Sequence, residues 1–106
     1  MDDERIRELF DGLGPVAIRR MFGGKGIYHD GLIVGVSLST GEVLLKADKD
    51  SAPDFEAAGA KRWAEGPKGR KVNMPYWSIP ESALDDPDEM AVWARKAYEA
   101  ALRSKK

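Results

Sequence analysis

Apolar residues along this chain switch several times between helical and strand spacing. Ile6, Leu9, Phe10 and Leu13 recur every three or four residues, which is one face of a short helix over residues 3–11. Gly12 and Gly14 close it, and Pro15 prevents continuation. An extended run follows from about Val16 to Tyr28, broken by Gly23, Gly24 and Gly26. Glycine weakens a strand interior, so this cluster marks a bulge, a sharp bend or close approach by another backbone. Asp30-Gly31 predicts a two-residue hairpin turn, because a type I′ turn needs positive φ at both central positions. Leu32, Val34, Val36 and Leu38 then alternate with Ile33, Gly35 and Ser37, as in a strand with one buried face. Thr40-Gly41 supplies another turn, and residues 42–47 read as a third strand, completing a three-stranded meander.

Ser51 followed by Asp54 resembles a capping box, with Asp where Glu or Gln is usual. It predicts a short helix over residues 52–58, anchored by Phe55 and stopped at Gly59. Residues 60–64 and 70–79 look extended, joined across Gly66-Pro67-Lys68-Gly69 as a second hairpin. Pro75 and Pro80 make its last strand irregular or place it at an edge. The final helix carries the fullest set of signals: Asp86 as cap, Pro87 at the first helical position and Glu89 three residues after the cap. Met90, Trp93, Ala94, Ala97, Tyr98, Ala101 and Leu102 form its apolar stripe.

The order α-β-β-β-α-β-β-α predicts an α+β fold, a two-layer sandwich in which helices cover one face of a single antiparallel sheet. The 106 residues suit one domain, 1–106, with no repeat or linker to divide them. Cysteine is absent, which excludes disulfides, thiol nucleophiles and zinc–cysteine sites. The acidic start Asp2-Asp3-Glu4 and the lack of any apolar run near ~20 residues argue for a cytoplasmic protein with no membrane partner.

A net charge of −1 argues against a uniformly cationic nucleic-acid binder, yet the charge is uneven. Residues 1–14 hold five acids against two bases, while residues 61–71 hold five bases (Lys61, Arg62, Lys68, Arg70, Lys71) against Glu65. The second cluster reads either as a solvated hairpin face or as a patch for phosphates and acids. With Arg19 and Arg20 it would make one basic surface if both hairpins share a sheet, and Trp63 and Trp77 would offer stacking platforms for bases.

Other chemistry is thin. Gly23-Gly24-Lys25-Gly26 lacks the spacing of a phosphate loop and leads into a hairpin rather than a helix. His29 is the sole histidine, so no histidine-pair metal site exists, and its place before the turn predicts an exposed residue rather than a general base. Asp85-Asp86 and Asp88-Glu89 fall where a helix start favours negative charge. No acid, base and nucleophile converge, so the residues point to a non-enzymatic protein without cofactor or metal. Tyr76 and Trp77 are adjacent in an extended segment and point to opposite faces, so at most one is expected in the core. The other covers a helix, meets a partner or stays exposed.

Four segments in order carry a wider likeness. They are Arg20-Met21-Phe22-Gly23-Gly24 with Gly26-Ile27-Tyr28 and Asp30-Gly31; Leu44, Lys46 and Asp48; Met74-Pro75-Tyr76-Trp77 with Ile79-Pro80; and Trp93-Ala94-Arg95-Lys96-Ala97. Together they resemble the TfoX (Sxy) amino-terminal domain family, from about Gly14 to Ala101. The resemblance implies a secretion-chaperone-like α/β sandwich and a link to bacterial competence, where such proteins act as co-activators beside a cyclic-AMP receptor protein. Regulators of that group carry a further carboxyl-terminal helical domain, so this chain resembles a stand-alone short member. The family supplies no catalytic residues.

The expected function is a non-enzymatic interaction or regulatory module, a homodimer with a protein partner of the transcription-factor kind. Arg20, Lys25, Tyr76 and Trp77 are its candidate partner-binding residues. The alternative is direct nucleic-acid binding through Arg19, Arg20, Lys61, Arg62, Arg70 and Lys71. A third possibility is an enzyme acting on a small phosphorylated ligand near Lys25.

Overall fold

The computed structural model describes residues 2–21, 24–62 and 75–104. Helix α1 (Asp3–Leu9) opens on Asp2, whose carboxylate accepts the Arg5 backbone N–H at 2.9 Å. Its apolar face buries Ile6 and Leu9, continued by Phe10. Strands β1 (Ala17–Met21) and β2 (Gly24–His29) pair antiparallel, with Met21 opposite Gly24. The single extended run expected over 16–28 is therefore two strands folded back on each other. Gly24 is where close approach matters, since a Cβ there would sit 2.4 Å from the Ser37 carbonyl oxygen on the next strand.

Asp30 and Gly31 adopt φ of 52° and 78°, the paired positive values a type I′ turn requires. They lead into β3 (Leu32–Ser37), which pairs with β4 (Val43–Lys46), which in turn pairs with β5 (Tyr76–Ser78). The result is one five-stranded antiparallel sheet in the order β1-β2-β3-β4-β5. Among the described residues four strands precede the second helix, where the sequence predicted three, and one follows it. Of the second expected hairpin, the described part is a bridge between Arg62 and Trp77, with the Ser78 N–H donating to the Lys61 carbonyl at 2.9 Å. The remainder, 63–74, lies outside the described residues.

A bulge changes the phase of β3. Ile27 pairs with Gly35 and Tyr28 with Ile33, so Val34 has no opposite residue. An extra residue inverts every side chain beyond it. Leu32 and Val34 thus join the main core, whereas Val36 and Leu38 pass to the opposite face with Ile33. The expected single buried set of Leu32, Val34, Val36 and Leu38 is split between the two faces.

Helix α2 (Ala52–Ala57) buries Phe55, and the one-turn α3 (Glu81–Leu84), too short to show a period, buries Ala83. Ser51 does not cap α2; its hydroxyl instead accepts the Asp48 N–H at 3.0 Å. Helix α4 (Pro87–Ser104) begins as the sequence predicts, with Asp86 accepting the Asp88 and Glu89 N–H groups at 3.0 and 3.2 Å. Met90, Trp93, Ala94, Ala97 and Ala101 lie against the sheet, but Leu102 leaves the stripe and is 42% exposed. Small alanines let α4 sit close over β3 and β4. Phe55, Trp77 and Trp93 join α2, β5 and α4, with ring centroids 6.1 Å (Phe55–Trp77) and 4.7 Å (Phe55–Trp93) apart.

Candidate functional site

On the helix-covered face several polar side chains of the described residues tie one element to another. His29, at the end of β2, is only 11% exposed, contrary to its expected place on an open turn. Its Nδ1 must donate to the Pro15 carbonyl at 2.7 Å, because a carbonyl only accepts. Its ring meets that of Tyr98 edge-on at 4.9 Å, and its Nε2 lies 3.6 Å from the Asp30 carboxylate. That carboxylate accepts the Tyr98 hydroxyl at 2.9 Å, which raises the phenol above its ordinary pKa. The sequence offered no sign of this cluster, since Tyr98 is 68 positions from Asp30.

A second tie joins the β4–α2 loop to α4. Asp48 takes the Arg103 guanidinium through Nε at 2.6 Å and Nη2 at 3.0 Å, and also accepts the Ser51 and Asp50 N–H groups. The guanidinium is the largest influence holding the Asp48 carboxyl down at about 2. A third tie is Lys96 to Asp54 of α2 at 3.1 Å. On α1, Asp3 accepts a hydrogen bond from Lys25, which holds its carboxyl below the usual range.

The expected partner-binding residues are scattered by this arrangement. Lys25 is engaged with Asp3, and Arg20 sits opposite it on β1. Trp77 turns into the main core against Phe55 and does not present a surface. Tyr76 turns the other way, yet it too is buried, in a smaller cluster with Val36 and Leu44. Burial pushes its hydroxyl above the ordinary pKa. Both rings of the pair are therefore covered, because the second face of the sheet has apolar residues of its own.

The described basic residues of the expected surface lie at opposite edges of the sheet. Arg19 and Arg20 are on β1, while Lys61 and Arg62 run beyond β5. Five strand spacings separate them, roughly 24 Å. Arg70 and Lys71 lie outside the described residues, as does Trp63. The Arg19 guanidinium stands 5.7 Å from the centre of the Tyr28 ring.

Among the described residues, the far side of α4 is open, as is a small groove lined by Gly41, Glu42, Val43, Ser78, Ile79 and Leu84. Val92 is 54% exposed, and a shallow groove beside it is lined by Gly12, Ala91, Arg95, Lys96 and Glu99. A second groove runs between α1 and the start of α4, with Glu4, Arg7, Glu8, Asp11 and Asp88 in its lining. Among the described residues no group of His, Asp and Glu is arranged to hold a metal ion, and no helix is long and apolar enough to cross a membrane.

Comparison with known families decides the kinship. The TfoX N-terminal domain model matches residues 8–101 of the 106. This chain belongs to the TfoX N-terminal domain family. The matched span runs from the end of α1 to the last turns of α4, so the described strands, α2, α3 and most of α4 fall within the family pattern. For this TfoX N-terminal domain a competence-related, regulatory type of role is supported. No curated protein matches the chain.

Proposed function

We propose that this TfoX N-terminal domain is a non-enzymatic interaction module acting in the cytoplasm, which contacts a regulatory protein rather than transforming a small molecule. One observation carries the reading. Five polar side chains (His29, Asp30, Tyr98, Asp48 and Arg103) are spent bonding one element to another, and none of them lines the described grooves, which lie beside α1 and α4 and between β4, β5 and α3. General acid–base or nucleophilic chemistry needs such groups aimed at a space where a substrate sits. The test is a reporter for competence genes in cells with and without the gene for this chain, combined with cross-linking of the tagged full chain to purified transcription factors. Altered reporter output and a stoichiometric cross-linked complex are expected. An unchanged reporter together with turnover in a substrate screen would overturn the proposal.

Direct nucleic-acid binding is the second reading, favoured by the Arg19–Tyr28 pair, a cation and an aromatic ring side by side on adjacent strands. It predicts retardation of DNA or RNA that weakens steeply with salt and is lost in an Arg19→Glu/Arg20→Glu variant. Failure to retard either nucleic acid at low salt disposes of it.

A further inference from the structure

The ties described above attach α4 along its two flanks and leave its outer line unused. Lys96 and Arg103 pair with Asp54 and Asp48 on one side, and Tyr98 bonds Asp30 on the other. Between them, directly opposite the buried stripe of Met90, Trp93, Ala94, Ala97 and Ala101, run Val92, Arg95, Glu99 and Leu102. All four are exposed; among the described residues Arg95 and Glu99 form no ion pair within 4 Å, and Glu99 adds a longer-range attraction to Arg103 one turn on. Their spacing of three, four and three is that of a coiled-coil seam.

We propose that this line is a docking surface for a second copy of the same chain, with the two α4 helices packed antiparallel about a two-fold axis at the level of Ala97, on the side of the helix opposite that residue. The pattern is self-complementary about that point. Val92 stands five positions before Ala97 and Leu102 five after; Arg95 stands two before and Glu99 two after. At about 100° per residue, each pair straddles the same line on the helix surface. A two-fold rotation therefore brings Val92 onto the partner's Leu102 and Arg95 onto the partner's Glu99, each contact occurring twice, as an isologous interface demands. The two exposed large hydrophobic residues of the described chain cover one another. The two charges meet opposite signs, whereas a parallel pairing in register would set like against like.

Within one chain, Arg95 precedes Glu99 by four positions, the weaker order for a pair on a single helix. Across the axis they meet without that handicap. Helices of 18 residues extend about 27 Å and together bury on the order of 800–1,000 Å², the low end of specific interfaces. The dimer is accordingly weak, with Kd of roughly 10⁻⁵–10⁻³ M. The inference rests on the interaction-module reading and names one partner for it.

Sedimentation equilibrium of the full chain from about 10 to 1,000 μM tests the surface. Arg95→Glu and Glu99→Arg should each weaken the dimer by roughly tenfold, since each places two like-charge pairs across the axis. The double exchange Arg95→Glu/Glu99→Arg should restore it, because both pairs are opposite again. The absence of native cysteine permits a direct check of register: Val92→Cys mixed with Leu102→Cys should cross-link, and Val92→Cys alone should not. Circular dichroism of every variant confirms folding at these exposed positions. A strict monomer at the highest concentration, a dimer indifferent to the single reversals, or cross-linking of like positions would each overturn the proposal. A monomer that still engages a transcription factor would sink this interface and leave the module intact. A dimer of the expected register that engages none would do the reverse.

Discussion

Replacing Asp48 by Asn removes one charge from the β4–α2 loop while preserving the loop's shape. The Asn carbonyl still accepts the Ser51 and Asp50 N–H groups that the carboxylate accepts now. What disappears is the charged half of the bond to Arg103. The carboxyl is lowered from 3.8 to about 2, so the folded state favours its ionised form by at most ~2.4 kcal/mol at 1.36 kcal/mol per pH unit. The loop borders solvent, and screening there leaves ~1–1.5 kcal/mol, equivalent to a Tm lower by roughly 5–8 °C at neutral pH. Because the folded pKa lies below the unfolded one, this stability is fully present above pH 3.8 and is lost as pH falls through about 2. Urea midpoints of the wild type and Asp48→Asn should therefore differ at pH 7 and 5 and converge between pH 3.8 and 2. Carboxyl-carbon NMR titration of Arg103→Met should show the Asp48 pKa moving back up. A midpoint gap that stays constant down to pH 2 would refute the reasoning, since it would assign the loss to packing rather than charge.

Three further outcomes follow from the packing. Gly24→Ala sets a Cβ 2.4 Å from the Ser37 carbonyl, backbone that cannot swing aside, and should cost ~2–3 kcal/mol in chemical denaturation. Phe55→Ala empties the junction of α2, β5 and α4 and should cost ~3–5 kcal/mol, with loss of near-ultraviolet circular dichroism from Trp77 and Trp93. Spectrophotometric titration should lose a component ionising above pH 10 in Tyr98→Phe and another in Tyr76→Phe, one held up by its bond to Asp30 and the other by burial.

The readable parts of this chain were those governed by neighbours in sequence. Asp86 and Pro87 mark the start of α4, and Asp30-Gly31 marks the turn from β2 to β3, because caps and tight turns depend on residues a few positions apart. The phase of β3 was not readable past Val34. That bulge is set by pairing with β2, and alternation alone assigned Val36 and Leu38 to the wrong face. Ser51 had the look of a cap, but Asp48 three residues earlier competes for its hydroxyl. Leu102 fits the apolar period of α4 by type and lies past the margin of the buried face by angle. The candidate site fared worst for the same reason: His29, Asp30 and Tyr98 meet only after the fold is complete. Trp77 was a candidate surface residue until the sheet placed it against Phe55.

The dependence of the core on α4 also bears on how the protein is made. Strands β2, β3 and β4 present Ile27, Val34 and Leu45 toward a cover that α1 begins with Ile6, Leu9 and Phe10 and that α4 completes only at residues 90–101. During synthesis the meander therefore emerges with its greasy side covered only in part, by α1 and then Phe55, and must wait for some forty further residues before α4 completes the shield. A nascent chain in that state is a natural client for a ribosome-associated chaperone, and truncation before Trp93 should yield aggregates rather than a smaller soluble sheet.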